Sequence, residues 1–263
     1  GKVNFIPHAV PEEIYYELPE SEKAEMRRQV LGPGKEDWFV GIWINRNAKR
    51  KRPNDLLWAW KLFMDNLEKT HGHRKACLIM HTDPLDGEGP NLFAAAEKLG
   101  VNESVWFSSE RLEFDKINVL YNISDFCINV SLAEGFGLGT LEAMMGGTPI
   151  ITPKTGGLTR QVEDHRDGSH NGVALPIEYK TLVGSQGVPY IYEDYVSAET
   201  ISDAIMKLYS LSPEEKRDLS KKVKEYAKTQ FNIQDTVDDW HSTLSECIES
   251  FKNGYQAWRC EEL

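Results

Sequence analysis

The chain has no apolar stretch approaching the ~18 residues that a bilayer-spanning helix requires, and no secretory signal at its start. Cysteine is scarce. Cys77, Cys127, Cys247 and Cys260 stand far apart, with no CxxC and no spacing suited to a metal site. Cys77 and Cys127 fall inside apolar, strand-like runs, where a thiol serves as a small hydrophobe, so a reduced, cytoplasmic compartment is expected. Positive charge is also in short supply. Lys and Arg number 30 against 41 Asp and Glu, and the net charge of −11 argues against a general nucleic-acid binder, leaving room only for a local basic site. HExxH, Asp-x-Asp at a strand end and clustered His/Cys ligands are all lacking, so no metal is expected; Asp238-Asp239 reads as solvated helix surface. No G-x-G-x-x-G follows the first strand, which weakens a dinucleotide-binding oxidoreductase as a reading. Internal repeats and low-complexity runs are missing as well.

What is there is an ordinary globular composition, 40% hydrophobic and 27% charged, long enough for one large domain or two small ones. Short apolar runs alternate with helical stretches. Strands are expected at 38–44, 76–80, 105–107, 126–130, 150–151 and 172–175, and helices at 20–31, 54–69, 90–99, 113–122, 198–210, 213–229 and 233–252. Ser212-Pro213-Glu214-Glu215 is a helix-start signal, and Gly32-Pro33-Gly34 a stop. Residues 2–10 read as a short strand broken by Pro7. The alternation implies an α/β fold, a doubly wound parallel sheet with additional C-terminal helices. Residues 176–196, with Tyr179, Tyr190, Tyr192 and Tyr195, interrupt it and read as an inserted, tyrosine-rich surface hairpin. Trp240, Leu244 and Ile248 recur every fourth residue, as a packed apolar stripe does.

The most informative stretch runs from Ser131 to Pro149. Gly135, Gly137 and Gly139 lie between an apolar run, Phe126 to Val130, and Leu141-Glu142-Ala143-Met144-Met145, a run of good helix formers. Glycine lets the backbone turn sharply and lets a ligand approach main-chain N–H groups. The first turn of a helix presents unpaired N–H groups at the positive end of its dipole, so strand, glycine turn and helix start make an anion site. Glu134 and Glu142 frame that turn. Carboxylates are poor partners for phosphate and good acceptors for sugar hydroxyls, which suggests a ligand with both a phosphate and a polyol part. Taken alone, the glycines also suit an ordinary strand-to-helix turn, and Glu142 an acid that complements the dipole.

A second candidate is the basic run Arg46 to Arg52, in which five of seven residues are Lys or Arg. Charge runs are usually solvated loops. This one follows the carboxyl end of a strand, where ligands bind in open α/β sheets, and Pro53 suits the first turn of the helix after it. His81, at the next strand end, is a lone histidine and more often a loop residue than a catalyst.

The string Glu134-Gly135-Phe136-Gly137, Leu141-Glu142-Ala143-Met144, Gly147 and Pro149 resembles the E-x7-E region of retaining glycosyltransferases of the GT-B fold, family 4, whose members carry EGFG-x-x-x-LEAM-x-x-G-x-P. The resemblance extends over about residues 4–252, apart from the insertion, and implies the C-terminal, Rossmann-like donor-binding half of such an enzyme. Gly1 in place of Met is what an excised piece would show, and the first Rossmann-like domain, with its acceptor site, has no counterpart here. Residues 1–230 are accordingly expected as a nucleotide-sugar-binding domain. Residues 231–263 are expected as a helix and tail that pack against an N-terminal domain.

The resemblance implies transfer of a sugar from a nucleoside-diphosphate donor with anomeric configuration retained. Arg46 and Lys51 match the family's diphosphate-gripping pair and would act in catalysis by offsetting leaving-group charge, with Arg50 or Arg52 as substitutes if the register shifts by one. Gly137, Leu138, Gly139 and Thr140 would add backbone N–H groups to that grip. Glu134, with Gly135 and Phe136, would lie beside the donor sugar, Glu134 orienting its hydroxyls without acting as a covalent nucleophile. Glu142 would take the ribose. Ser109 and Arg111 stand on the loop that would meet the nucleobase, and His81-Thr82 replaces the family's usual glycine-rich turn. The implied partner is a UDP-, GDP- or ADP-linked sugar, with a saccharide, lipid or protein acceptor, no metal or other cofactor, and membrane association only through an N-terminal domain. A nucleotide-sugar-binding module without catalysis is the alternative.

Overall fold

The computed structural model describes residues 3–254; the tail from 255 onward, with Cys260, and Lys2 of the expected first strand lie outside the described residues. Its strands are β1 (Phe39–Ile44), β2 (Ala76–His81), β3 (Val105–Ser108), β4 (Phe126–Ile128), β5 (Ile150–Pro153), β6 (Gly172–Leu175), β7 (Tyr179–Val183) and β8 (Ile191–Tyr195). Its helices are α1 (Glu20–Leu31), α2 (Pro53–His71), α3 (Leu92–Leu99), α4 (Phe114–Asn122), α5 (Leu138–Met145), α6 (Leu158–Val162), α7 (Ala198–Tyr209), α8 (Pro213–Gln230) and α9 (Ile233–Gly254), with a 3-10 turn at Lys49–Lys51.

Along β1, Phe39 and Trp43 enter one apolar cluster and Val40 and Ile42 another, as expected of a strand buried on both faces. Leu56, Trp60 and Phe63 of α2 cover the first face, with Ile201 and Ile205 of α7. Tyr121 of α4, Met144 of α5 and Tyr226 of α8 cover the second. The first six strands are parallel, in the order β3-β2-β1-β4-β5-β6. The chain therefore winds outward from β1 in one direction and from β4 in the other, and a crevice opens where the direction changes, beyond the carboxyl ends of these two strands. Gly41 permits their close pairing, since a Cβ there would stand 2.4 Å from Cζ of Phe126.

The hairpin expected at 176–196 is present as the antiparallel pair β7–β8. Its root is joined to the loops above the crevice. The Leu132 N–H donates to the Arg50 carbonyl (2.9 Å), and the Asp194 N–H donates to the Leu132 carbonyl (2.8 Å). Arg52 holds a left-handed backbone (φ 52°) at the start of α2, donates to the Val196 carbonyl (2.8 Å) and lies over the Tyr195 ring. The Ser212 signal at the start of α8 forms a complete capping box with Glu215.

One expectation needs correction. Residues 3–10 form no strand. Pro7 has no N–H for a ladder, and the segment instead runs along α9, where Asn4 Nδ2 donates to Thr243 Oγ1 (3.1 Å) and Thr236 Oγ1 to the Pro7 carbonyl (3.4 Å). Within this chain Trp240, Leu244 and Ile248 of α9 are each more than half exposed. Among the described residues no helix is long and apolar enough to cross a membrane.

Candidate functional site

A pocket occupies the crevice between the ends of β1 and β4. It is lined by Ile44 of β1 and Asn45 just after it, Asn129 beyond β4, Lys51, Glu134, and Gly137 to Thr140. Three pieces of local chemistry shape it. Gly137 stands at the N-cap of α5 with φ 87°, a conformation glycine adopts without penalty, and no side chain caps the N–H groups that follow. The 3-10 turn points Lys51 inward, where it is 7% exposed. Asn129 accepts hydrogen bonds from the Ser131 N–H (3.0 Å) and hydroxyl (2.5 Å), fixing the turn that leads to Glu134.

Lys51 and Glu134 form an ion pair, both side chains largely buried. Burial pushes the Lys51 ammonium below its usual pKa although Glu134 lies against it. Arg50 is the nearest second cation, with Nη1 4.0 Å from the Glu134 carboxylate. From the other side, the turn before α6 supports the glycine loop. The Gly157 N–H donates to the Glu134 carbonyl (3.2 Å), and a Cβ at Gly156 (φ 49°) would stand 1.9 Å from that oxygen. The buried Gln161 amide donates to the carbonyls of Phe136 (2.7 Å) and Gly137 (3.2 Å), and its oxygen lies 2.6 Å from the Thr140 hydroxyl. Thr140 thus offers the pocket its N–H, its hydroxyl being engaged elsewhere.

The expected site residues therefore separate into two groups. Lys51, Glu134, Gly137, Leu138, Gly139 and Thr140 come together on one pocket. Glu142 lies one turn into α5, where the buried Tyr121 hydroxyl donates to it (2.8 Å). Gly135 is exposed at the turn, and the Phe136 ring packs edge-on against His8 (5.0 Å) and Phe231 (5.8 Å) rather than lining the pocket. Arg46 does not join the group. Its guanidinium is bound by Asp86 (2.7 Å) and Glu88 (2.9 Å) on the loop after β2. The neighbouring residue, Asn45, lines the pocket instead; a search led by charge passes over it, although its place directly after a strand was the available signal. Ser109 and Arg111 are exposed on the loop after β3 and make no side-chain hydrogen bond or ion pair among the described residues. His81 Nδ1 lies 2.9 Å from Ser108 Oγ, and burial lowers its pKa, which favours the neutral ring. Among the described residues, no three His, Cys, Asp or Glu converge as metal ligands would.

Comparison with known proteins adds a family. Residues 24–230 match the family described as "Glycosyl transferases group 1". A D-inositol 3-phosphate glycosyltransferase from Corynebacterium jeikeium is 30% identical over 155 residues, which is 57% of this chain and 35% of that protein. The chain thus spans about a third of that relative's length. Sucrose-phosphate synthase from Thermosynechococcus elongatus superposes with a TM-score of 0.71 at 20% identity, over 95% of this chain and 54% of that one. Anabaena HepE, solved in complex with UDP-glucose, superposes with a TM-score of 0.68 at 18% identity, over 90% and 56% of the two chains. At these identities the two superpositions speak for the fold.

Proposed function

The chain belongs to the group 1 glycosyl transferases, and on that footing we propose that it is the donor-binding half of a retaining glycosyltransferase that uses a nucleoside-diphosphate sugar. The convergence of the Lys51 ammonium, the uncapped start of α5 and the Glu134 carboxylate on one pocket carries this reading. A diphosphate seated there meets a cation on one side and helix N–H groups on the other, both suited to anionic oxygen. As the bond from the sugar's anomeric carbon to the diphosphate oxygen breaks, negative charge grows on that oxygen. Lys51 and the N–H groups of residues 138–140 already face it and need little rearrangement to stabilise it. Glu134, displaced from Lys51 by the diphosphate, accepts hydrogen bonds from donor-sugar hydroxyls and orients the ring. Glu142, deeper in α5, takes the ribose.

The second cation in this reading is Arg50, which already approaches Glu134; Arg46 would first have to leave Asp86 and Glu88. The Lys51–Glu134 arrangement supplies charge without a metal, so catalysis is proposed to be metal-independent. HepE's complex with UDP-glucose supports a nucleotide sugar as partner. The exposed stripe of α9 is the face that would meet an acceptor-binding domain, and the acceptor would be a saccharide, lipid or protein bound there. Thermal-shift screening of the chain against UDP-, GDP- and ADP-sugars, with and without EDTA, tests the proposal. A shift with one base series, retained in EDTA, is expected. Equal failure of all three series would overturn it.

A further inference from the structure

The two acids of the site are held by opposite chemistry. Glu134 rests on a lysine. Glu142 has no cation within ion-pairing distance among the described residues, and its carboxylate meets a phenol. Tyr121, fully buried on α4, donates its hydroxyl to Glu142 (2.8 Å). Tyr15, 5% exposed in the segment before α1, packs edge-on against the Tyr121 ring at 6.3 Å. The Tyr121 hydroxyl also lies directly under the start of α5, since a Cβ on Gly139 would stand 3.2 Å from it. The same oxygen therefore touches both the glycine turn and the acid one turn later.

We propose that Tyr121, with the Tyr15 ring packed against it, is a positioning residue that holds Glu142 as an oriented hydrogen-bond acceptor for the ribose of the donor nucleotide, so that ribose recognition depends on this phenol. This inference rests on the donor-binding reading above and adds to it the residue that sets preference for ribose over 2′-deoxyribose. The Tyr121 hydroxyl engages one carboxylate oxygen and leaves lone pairs on the carboxylate for ribose hydroxyls.

The arrangement also makes the preference depend on pH. Burial raises the Glu142 pKa above its usual value, and the hydrogen bond from Tyr121 acts in the opposite direction. The other titratable group packed against it is the Cys127 thiol of β4, whose pKa, like those of the two phenols, is raised. None of the three carries charge at neutral pH, so the titration of Glu142 stands alone. Once protonated, the carboxyl loses acceptor capacity, and ribose preference falls as pH drops through the Glu142 pKa. Removing the Tyr121 hydroxyl removes a bond that favours the charged form and moves this midpoint upward.

The test is calorimetric titration of the chain with the nucleoside diphosphate identified by screening and with its 2′-deoxy form, from pH 5 to 8. Wild type is compared with Tyr121→Phe, Tyr15→Phe and Glu142→Gln. Tyr→Phe keeps the ring, and urea unfolding of each variant separates loss of packing from loss of orientation. The wild-type preference for the ribonucleotide is expected to be on the order of tenfold and to be abolished in Glu142→Gln. Tyr121→Phe is expected to raise the pH midpoint of that preference by about one unit, and Tyr15→Phe, which keeps the ring against Tyr121, to leave it closer to wild type. A Tyr121→Phe variant with an unchanged midpoint and unchanged preference overturns the proposal while leaving donor binding intact. If wild type binds none of the nucleoside diphosphates, the donor-binding reading fails first.

Discussion

Replacing Lys51 by Met separates what the lysine does for the fold from what it does for the ligand. Lys51 is 7% exposed and paired with Glu134, whose side chain is 12% exposed. Met fills much of the same volume but leaves a nearly buried carboxylate without its partner. Breaking a fully buried pair costs about 3–5 kcal/mol. This pair opens onto a pocket where water reaches Glu134, so a loss of roughly 2–3 kcal/mol is expected in urea unfolding. Adding Glu134→Gln removes the orphaned charge and should recover most of that loss, because swapping both members of such a pair is often close to neutral. Ligand binding should not recover. A charge-assisted hydrogen bond contributes about 1.5–3 kcal/mol, so Lys51→Met should weaken a nucleoside diphosphate by roughly 10- to 100-fold and leave the bare nucleoside unchanged. Calorimetry on both ligands, in the single and the double variant, checks this. Equal losses for nucleoside and diphosphate, or recovery of binding in the double variant, would refute the reasoning. There is a pH signature too. The Lys51 pKa is lowered on folding, so the unfolded chain binds more protons below pH 10.5. This lysine's contribution to wild-type stability therefore improves as pH rises towards that value, and Lys51→Met loses the improvement.

Arg50→Ala should weaken diphosphate binding more than Arg46→Ala, by several-fold in the same calorimetric assay, because only Arg50 approaches Glu134. The reverse order would mean that the 83–90 loop releases Arg46 when ligand binds. Arg46→Ala itself should leave the urea midpoint nearly unchanged, since its pairs with Asp86 and Glu88 are solvent-exposed on the arginine side. Away from the site, Asp164 is 3% exposed and its pKa is lowered to about 2 by the Arg166 guanidinium. A depressed carboxyl stabilises above its unfolded pKa and loses that contribution as pH falls. Asp164→Asn should therefore cost about 2 kcal/mol at pH 7, with the difference from wild type shrinking between roughly pH 4 and pH 2. A pH-independent difference in urea midpoints would exclude the charge as its cause.

Much of this was readable from residues. Parallel strands buried on both faces appear as apolar runs such as Phe39–Ile44 and Ala76–Met80, and the Ser212 start signal becomes a real capping box on α8, so local signals and fold agree there. The tyrosines of 176–196 marked a hairpin because they fall either side of a glycine-containing turn. The glycine turn and Lys51 were legible because their chemistry is local. What failed depended on distant partners. Arg46 and Asn45 are adjacent, and only the fold reveals that the former faces the acids of the 83–90 loop while the latter faces the pocket. Nothing near Gln161 or Tyr121 in the sequence announces that their polar groups meet the glycine loop or Glu142. The run at 3–10 has the composition of a strand, but Pro7 and the contacts with α9 decide otherwise.

The two main-chain bonds that link Arg50 to Leu132 and Leu132 to Asp194 have a practical consequence. They connect the basic turn, the acidic turn and the inserted hairpin in series, so the three segments can shift only together. A bulky graft at the hairpin's far end, around Ser185-Gln186-Gly187, would disturb solvent alone. The same graft between Glu193 and Val196 would pry the other two turns apart, which makes the hairpin's base a lever on the ligand cradle and its tip the place to attach a probe.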